Sequence, residues 1–80
     1  MKFIADQRHT ALVALIIAKR KAAGLTQQQV ADALGQYQSF IARLESGQRR
    51  IDVVEFLDLA QILKFDAGKA LREIEKIRTK

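Results

Sequence analysis

Apolar residues recur at helical spacing along most of the chain, and Gly24, Gly35 and Gly47, with a few capping residues, divide that pattern into five segments. The first runs from about Asp6 or Thr10 to Ala23, with Val13, Ile16, Arg20 and Ala23 on one stripe. Gly24 supplies the left-handed residue that ends it. Thr26 and Gln29 have the spacing of a capping box, opening a second helix whose Val30, Ala31 and Leu34 face inward. Gly35 is the turn, because a tight crossing of two helices calls for a positive φ that glycine adopts at little cost. The third helix spans roughly Tyr37 to Ser46, with Ile41 and Leu44 as its buried pair and Gly47 as its stop. Asp52 and Glu55 form a second capping box, opening an amphipathic helix that carries Val53, Phe56, Leu57, Ala60 and Leu63. Asp66 caps a fifth, in which Ala67, Ala70, Leu71, Ile74 and Ile77 are apolar. The fold predicted is all-α, a compact five-helix bundle forming one domain over residues 1–80, with 66–80 a C-terminal helix available for dimerisation.

Composition narrows the class. Eighty residues lie near the lower limit for a core that holds without a staple, and the absence of cysteine excludes disulfides and thiolate metal sites. Stability must therefore come from apolar packing, and 49% of the residues are apolar. Few aromatics and no proline favour helices over a sandwich or barrel. The longest uninterrupted apolar run, Ala11 to Ala18, is too short to span a bilayer and lacks a signal-peptide context. A cytoplasmic protein with no membrane partner is the expectation.

Charge is distributed more tellingly than its total of +5. Residues 19–50 carry a net +4, residues 51–66 a net −3 and residues 67–80 a net +3. Positive charge accompanies the second and third helices and an acidic helix follows them, which directs attention to a polyanionic partner. The basic run at the C-terminus reads more simply as a solvated helix face.

The segment Leu25 to Gly47, LTQQQVADALGQYQSFIARLESG, is two short helices broken by one glycine, with polar residues on the outer face of the second. That is the outline of a helix-turn-helix, whose first helix crosses the phosphate backbone and whose second enters the major groove. Double-stranded DNA is the partner this predicts.

LTQQQVADALG, SFIARLESG and RRIDVVEFLDLAQIL together resemble the Cro/repressor, or XRE, family of helix-turn-helix domains over roughly Ile16 to Leu71. The resemblance implies a lambda-repressor-like bundle that binds DNA as a homodimer and regulates transcription, usually by repression. It also implies residue roles. Gln27 would hold a phosphate at the start of the second helix. Gln38, Ser39 and Arg43 would form the base-contacting face of the third, glutamine suiting adenine and arginine guanine. Ala42, on the same face, would touch a thymine methyl or permit close approach. Gln48, Arg49 and Arg50 would meet backbone phosphates without reading sequence, with Lys19 and Lys21 weaker candidates for the same work. Composition alone would make Arg20 another phosphate contact; the resemblance instead implies an internal salt bridge with Glu45.

Two positions depart from the family pattern. Tyr37 stands where many members place a small hydroxyl residue that caps the recognition helix, and it is expected to stack on or hydrogen-bond the sugar-phosphate backbone instead. Phe40 replaces a common Ser or Thr and is expected to pack toward the fourth helix.

Other classes fare worse. His9 has no cysteine and no evident carboxylate partner and reads as a surface residue near the start of the first helix. No phosphate-cradling glycine loop or paired carboxylates are visible, so neither an enzyme nor a cofactor or metal is expected. The serious alternative is a protein-interaction module on the same fold, such as an antitoxin or scaffold acting through a toxin or another regulator. Leu71, Ile74 and Ile77, with Leu12, Leu15 and Ile17, extend apolar surface beyond the needs of a small core and point to a two-fold homodimer contact, against a C-terminal helix that merely seals a monomer. The short tail after Leu71 leaves regulation to concentration, dimerisation or a partner protein. Phage repressor, restriction-modification controller and antitoxin all remain open.

Overall fold

In the computed structural model, which describes residues 6–77, five helices follow one another: α1 (Gln7–Ala22), α2 (Gln27–Leu34), α3 (Gln38–Glu45), α4 (Val53–Leu63) and α5 (Ala67–Glu75). Their starts are chemically marked. Asp6, Thr26, Asp52 and Asp66 each accept a backbone N–H of the first turn, and Thr26–Gln29 and Asp52–Glu55 close reciprocal capping boxes. Their ends are marked as well. Gly24, Gly35 and Gly47 lie at φ +72°, +73° and +81°, and the N–H groups at and just beyond them return to the last helical carbonyls. Lys64 ends α4 in the same left-handed region at φ 60°.

The core is drawn from every helix: Ile16 of α1, Val30 and Ala31 of α2, Ile41 and Leu44 of α3, Phe56, Leu59 and Leu63 of α4, and Ala70 of α5. Phe65, between α4 and α5, meets Phe56 edge-on with centroids 5.6 Å apart, and Lys19 lies over its outer side at 5.8 Å. The two ends of the described chain are joined, because Arg8 donates from Nε and Nη2 to the carbonyls of Ile77 and Glu75.

Several expectations are corrected. Along α4 the buried stripe is Phe56, Leu59, Ala60 and Leu63, whereas Val53 and Leu57 point to solvent with Val54. Only one side of this eleven-residue helix meets the bundle, and Val53, Val54 and Leu57 fall outside it. Leu12 and Leu15 do not form a second exposed face on α1 but pack against the core, since α3, α4 and α5 all contact that helix. Ala23, expected on the buried stripe, is exposed at the C-cap. His9, expected at the surface, is only 5% exposed. The loop after α3 folds over it, bringing the Gly47 carbonyl to 3.4 Å from Nε2. No helix among the described residues is long and apolar enough to cross a membrane.

Candidate nucleic-acid interface

The alternation of buried and exposed positions on α3 follows from its shortness. Eight residues make just over two turns. Ile41 and Leu44 occupy the inner side, and this leaves Gln38, Ser39 and Arg43 exposed with Ala42 half-buried between them. Among the described residues Arg43 forms no ion pair. Tyr37 is the N-cap of α3, makes no side-chain capping bond and is 83% exposed, so its ring projects beside the N-terminus of the helix.

Behind this face lies a polar cluster that links three helices. Arg20 donates from Nε to Glu45 Oε2 at 2.6 Å and from Nη2 to Oε1 at 3.0 Å. Its Nη1 also donates to the carbonyl of Leu25, at the start of the turn into α2. Both side chains are well covered, 13% and 7% exposed, and the fork-to-fork geometry satisfies each. The hydrogen bond to Glu45 holds the arginine pKa above its ordinary value, with burial opposing it. A carboxylate at the C-terminal end of a helix opposes the macrodipole. Glu45 therefore owes its place to Arg20 and to Gln27, whose Nε2 donates to Oε1 at 3.0 Å. Gln38 in turn donates from Nε2 to Gln27 Oε1 at 2.6 Å. The sequence contained the Arg20–Glu45 relationship only through family resemblance, and nothing in residue spacing signalled that the two glutamines would join it.

The loop after α3 is held differently from the expectation. The Gly47 and Gln48 amides close the helix by bonding the Leu44 and Arg43 carbonyls, and the Gln48 side chain is exposed. Arg50 is exposed as well. Arg49, expected among the phosphate contacts, turns inward. Its Nη1 and Nη2 donate to the two Glu55 oxygens at 2.9 and 3.2 Å, and its guanidinium lies 4.2 Å from the centroid of the Phe40 ring. Phe40 itself is half-buried against the core. Glu55 also accepts the Asp52 amide, so one carboxylate serves both the capping box and the arginine.

On the far side, Leu71 is 44% exposed while Ile74 and Ile77 are half-buried, because α5 folds back on α1. More apolar surface is exposed on α4, where Val53, Val54 and Leu57 are 70%, 67% and 51% accessible. No group of His, Cys, Asp or Glu among the described residues could hold a metal ion.

Comparison with known proteins agrees with this geometry. The sequence model of a helix-turn-helix family matches residues 16–68. Among solved structures, an XRE-family like protein from Pseudomonas syringae pv. tomato str. DC3000 is 40% identical and superposes with a TM-score of 0.80, over 85% of this chain and 83% of that one. Two structures of the clp gene regulator ClgR from Corynebacterium glutamicum, each 20% identical, share the fold with TM-scores of 0.75 and 0.76, over 85% of this chain and 88% and 72% of theirs. Among curated proteins none matches. The match across the helix-turn-helix and its flanking helices, together with the 40%-identical relative, makes this chain a member of the XRE-type helix-turn-helix family of DNA-binding transcription regulators.

Proposed function

We propose that this protein binds a specific double-stranded DNA sequence as a homodimer on a pseudo-palindromic operator and represses transcription from it. The observation that carries the reading is the outward polar face of α3, where Gln38, Ser39 and Arg43 stand exposed around half-buried Ala42. Gln38 and Arg43 are the base readers, with Ser39 reaching a base or a phosphate and Ala42 admitting a thymine methyl. Gln27, Tyr37, Gln48 and Arg50 surround that face and contact phosphates, which sets register and salt dependence but not sequence. Arg49 holds the loop that carries Arg50, as its bonds to Glu55 and its place over Phe40 indicate. Each α3 would enter one major groove, with half-sites about 34 Å apart. Leu71 and Ile74 of α5, with Ile77 just beyond its end, supply the dimer contact.

Selection of bound sequences from a random duplex pool tests this, with wild type compared against Gln38→Ala/Arg43→Ala. A palindromic consensus that blurs in the double variant supports the reading. No enrichment at low salt would overturn it in favour of a protein-interaction module, acting for instance as an antitoxin. That second reading draws on the apolar surface left on α4 by Val53, Val54 and Leu57.

A further inference from the structure

A groove of about 320 Å³ runs between the first turns of α1, the loop after α3, and α5. Leu12, Ile51 and Ile74, all half-buried, form its aliphatic wall, and Asp6, Arg8 and His9 line its polar side. Those three polar residues have bonding capacity to spare. Arg8 donates from Nε and Nη2 to the carbonyls of Ile77 and Glu75 but pairs with no carboxylate among the described residues. Asp6 accepts the Arg8 amide through Oδ1 at 2.6 Å and pairs with no cation among them. His9 is 5% exposed, and its one hydrogen bond among the described residues joins Nε2 to the Gly47 carbonyl at 3.4 Å. A carbonyl can only accept, so Nε2 carries the proton and Nδ1 of the neutral ring is left as an acceptor. Among the described residues no fully buried side-chain polar atom lacks a partner, so Nδ1 keeps access to solvent. A histidine covered to this degree with one nitrogen unused calls for a partner from outside the chain.

We propose that this groove binds an apolar α-amino acid, which opposes operator binding. The ligand carboxylate pairs with Arg8, its ammonium group donates to Asp6 and to His9 Nδ1, and its side chain covers Leu12, Ile51 and Ile74. Each part of such a ligand meets a group left unmet by the protein. A simple carboxylic acid would set an anion against Asp6, and a simple amine would set a cation against Arg8. A zwitterion answers both, and the aliphatic wall selects an apolar side chain. Gly47, which Nε2 faces, lines a second groove beyond His9, but no arginine or lysine lines that groove to take the carboxylate. The size, near the lower end of small-molecule pockets at about 300 Å³, suits a ligand of this kind better than a nucleotide. Opposition to DNA follows from Arg50, which lines the same groove. A bound carboxylate draws on the guanidinium that a DNA phosphate uses, so ligand and operator weaken each other by the same factor. That step rests on the reading of Arg50 as a phosphate contact.

Titration of the full chain with L-leucine, followed by backbone amide NMR shifts without DNA, tests the site. Glycine, isocaproate and isoamylamine serve as comparisons, lacking in turn the side chain, the amine and the carboxylate. Leucine is expected to shift the amides of Arg8, His9, Leu12, Ile51 and Ile74 saturably. Each comparison compound should bind about tenfold more weakly, the worth of one charge-assisted or well-covered contact. Asp6→Asn, which keeps the cap and loses the charge, and Arg8→Gln are each expected to weaken leucine roughly tenfold. Asp6→Asn reads the site even if Arg8→Gln loosens the end of α5. Saturating leucine should lower affinity for the selected operator and reduce its salt slope by about one unit. No saturable shift would overturn the proposal, and so would equal binding of leucine and isocaproate or unchanged binding in both folded variants. Leucine that occupies the groove yet leaves operator affinity unchanged would overturn the opposition. If the random-duplex selection enriches no sequence, the operator reading and the opposition fall together, while the titration still decides the groove.

Discussion

The Arg49 guanidinium lies 4.2 Å from the centroid of the Phe40 ring while both of its amino groups hold Glu55. An arginine from the loop, an aromatic from α3 and a carboxylate from α4 are thereby fastened together, and the loop carrying Gln48 and Arg50 is pinned at the edge of the recognition helix. A half-buried bidentate pair with a stacked ring contributes more than an exposed ion pair. Arg49→Ala is expected to lower stability by about 1–2 kcal/mol, seen as a reduced melting temperature. Its DNA affinity should keep the wild-type salt slope, whereas Arg50→Ala should reduce the slope by about one unit. A reduced slope with unchanged melting for Arg49→Ala would make Arg49 a phosphate contact after all.

His9 is a structural residue of the α1–α3 junction, buried beneath the loop and 3.4 Å from the Gly47 carbonyl. Truncation there leaves a hole beside Val13 and an orphaned carbonyl. His9→Ala is expected to cost about 2 kcal/mol, measurable by urea denaturation, with the sequence preference of DNA binding unaltered. A variant as stable as wild type would return His9 to the surface.

Left-handed backbone positions at two helix ends carry opposite residues and should respond oppositely. Gly35 has φ +73° with open space around its missing Cβ, so Gly35→Ala meets no clash but must hold a conformation alanine resists. It should lose about 1 kcal/mol. Lys64 holds φ 60° already, and Lys64→Gly should gain about 0.5–1 kcal/mol by relieving that strain. Thermal melts of the two variants check both signs, and a destabilised Lys64→Gly would mean that the lysine side chain contributes more than its backbone costs.

Asp66 caps α5 by accepting the Lys69 amide at 2.9 Å, and that bond is the main reason its carboxyl titrates below the usual aspartate range, with Arg72 adding to the effect. A folded-state pKa lowered in this way means the cap stabilises the protein above the ordinary carboxylate pKa. That contribution is lost as the pH falls below about 4. Amide exchange in α5 should therefore accelerate on acidification before exchange in α2 and α3 does. Asp66→Asn, which caps without titrating, should remove that early step. Simultaneous acceleration in all five helices would show that α5 does not open on its own. The raised pKa of Arg20 has the opposite sign: its contribution is present below the ordinary arginine pKa and is lost only above it, so the Arg20 side of the bridge gives no pH dependence at neutral or acidic pH.

The local features were legible in the chain because they depend on neighbours a few residues apart. Capping at Thr26 and Asp52, the left-handed glycines and the inward pairs Val30–Ala31 and Ile41–Leu44 all follow from spacing within one or two turns. The same periodicity put Gln38, Ser39 and Arg43 outside, and family resemblance joined Arg20 to Glu45. What spacing does not say is which face of α4 finds a partner: Val53 and Leu57 belong to its apolar pattern as fully as Leu59, yet of the three only Leu59 is buried. Nor could it say that the loop would cover His9, that Arg49 would choose Glu55 and Phe40 over solvent, or that Gln27 and Gln38 would meet behind the recognition face. Each of those outcomes depends on how two helices or a loop come together in space. A long polar side chain can reach several partners, and only the packing of the bundle decides which of them is near enough to bond.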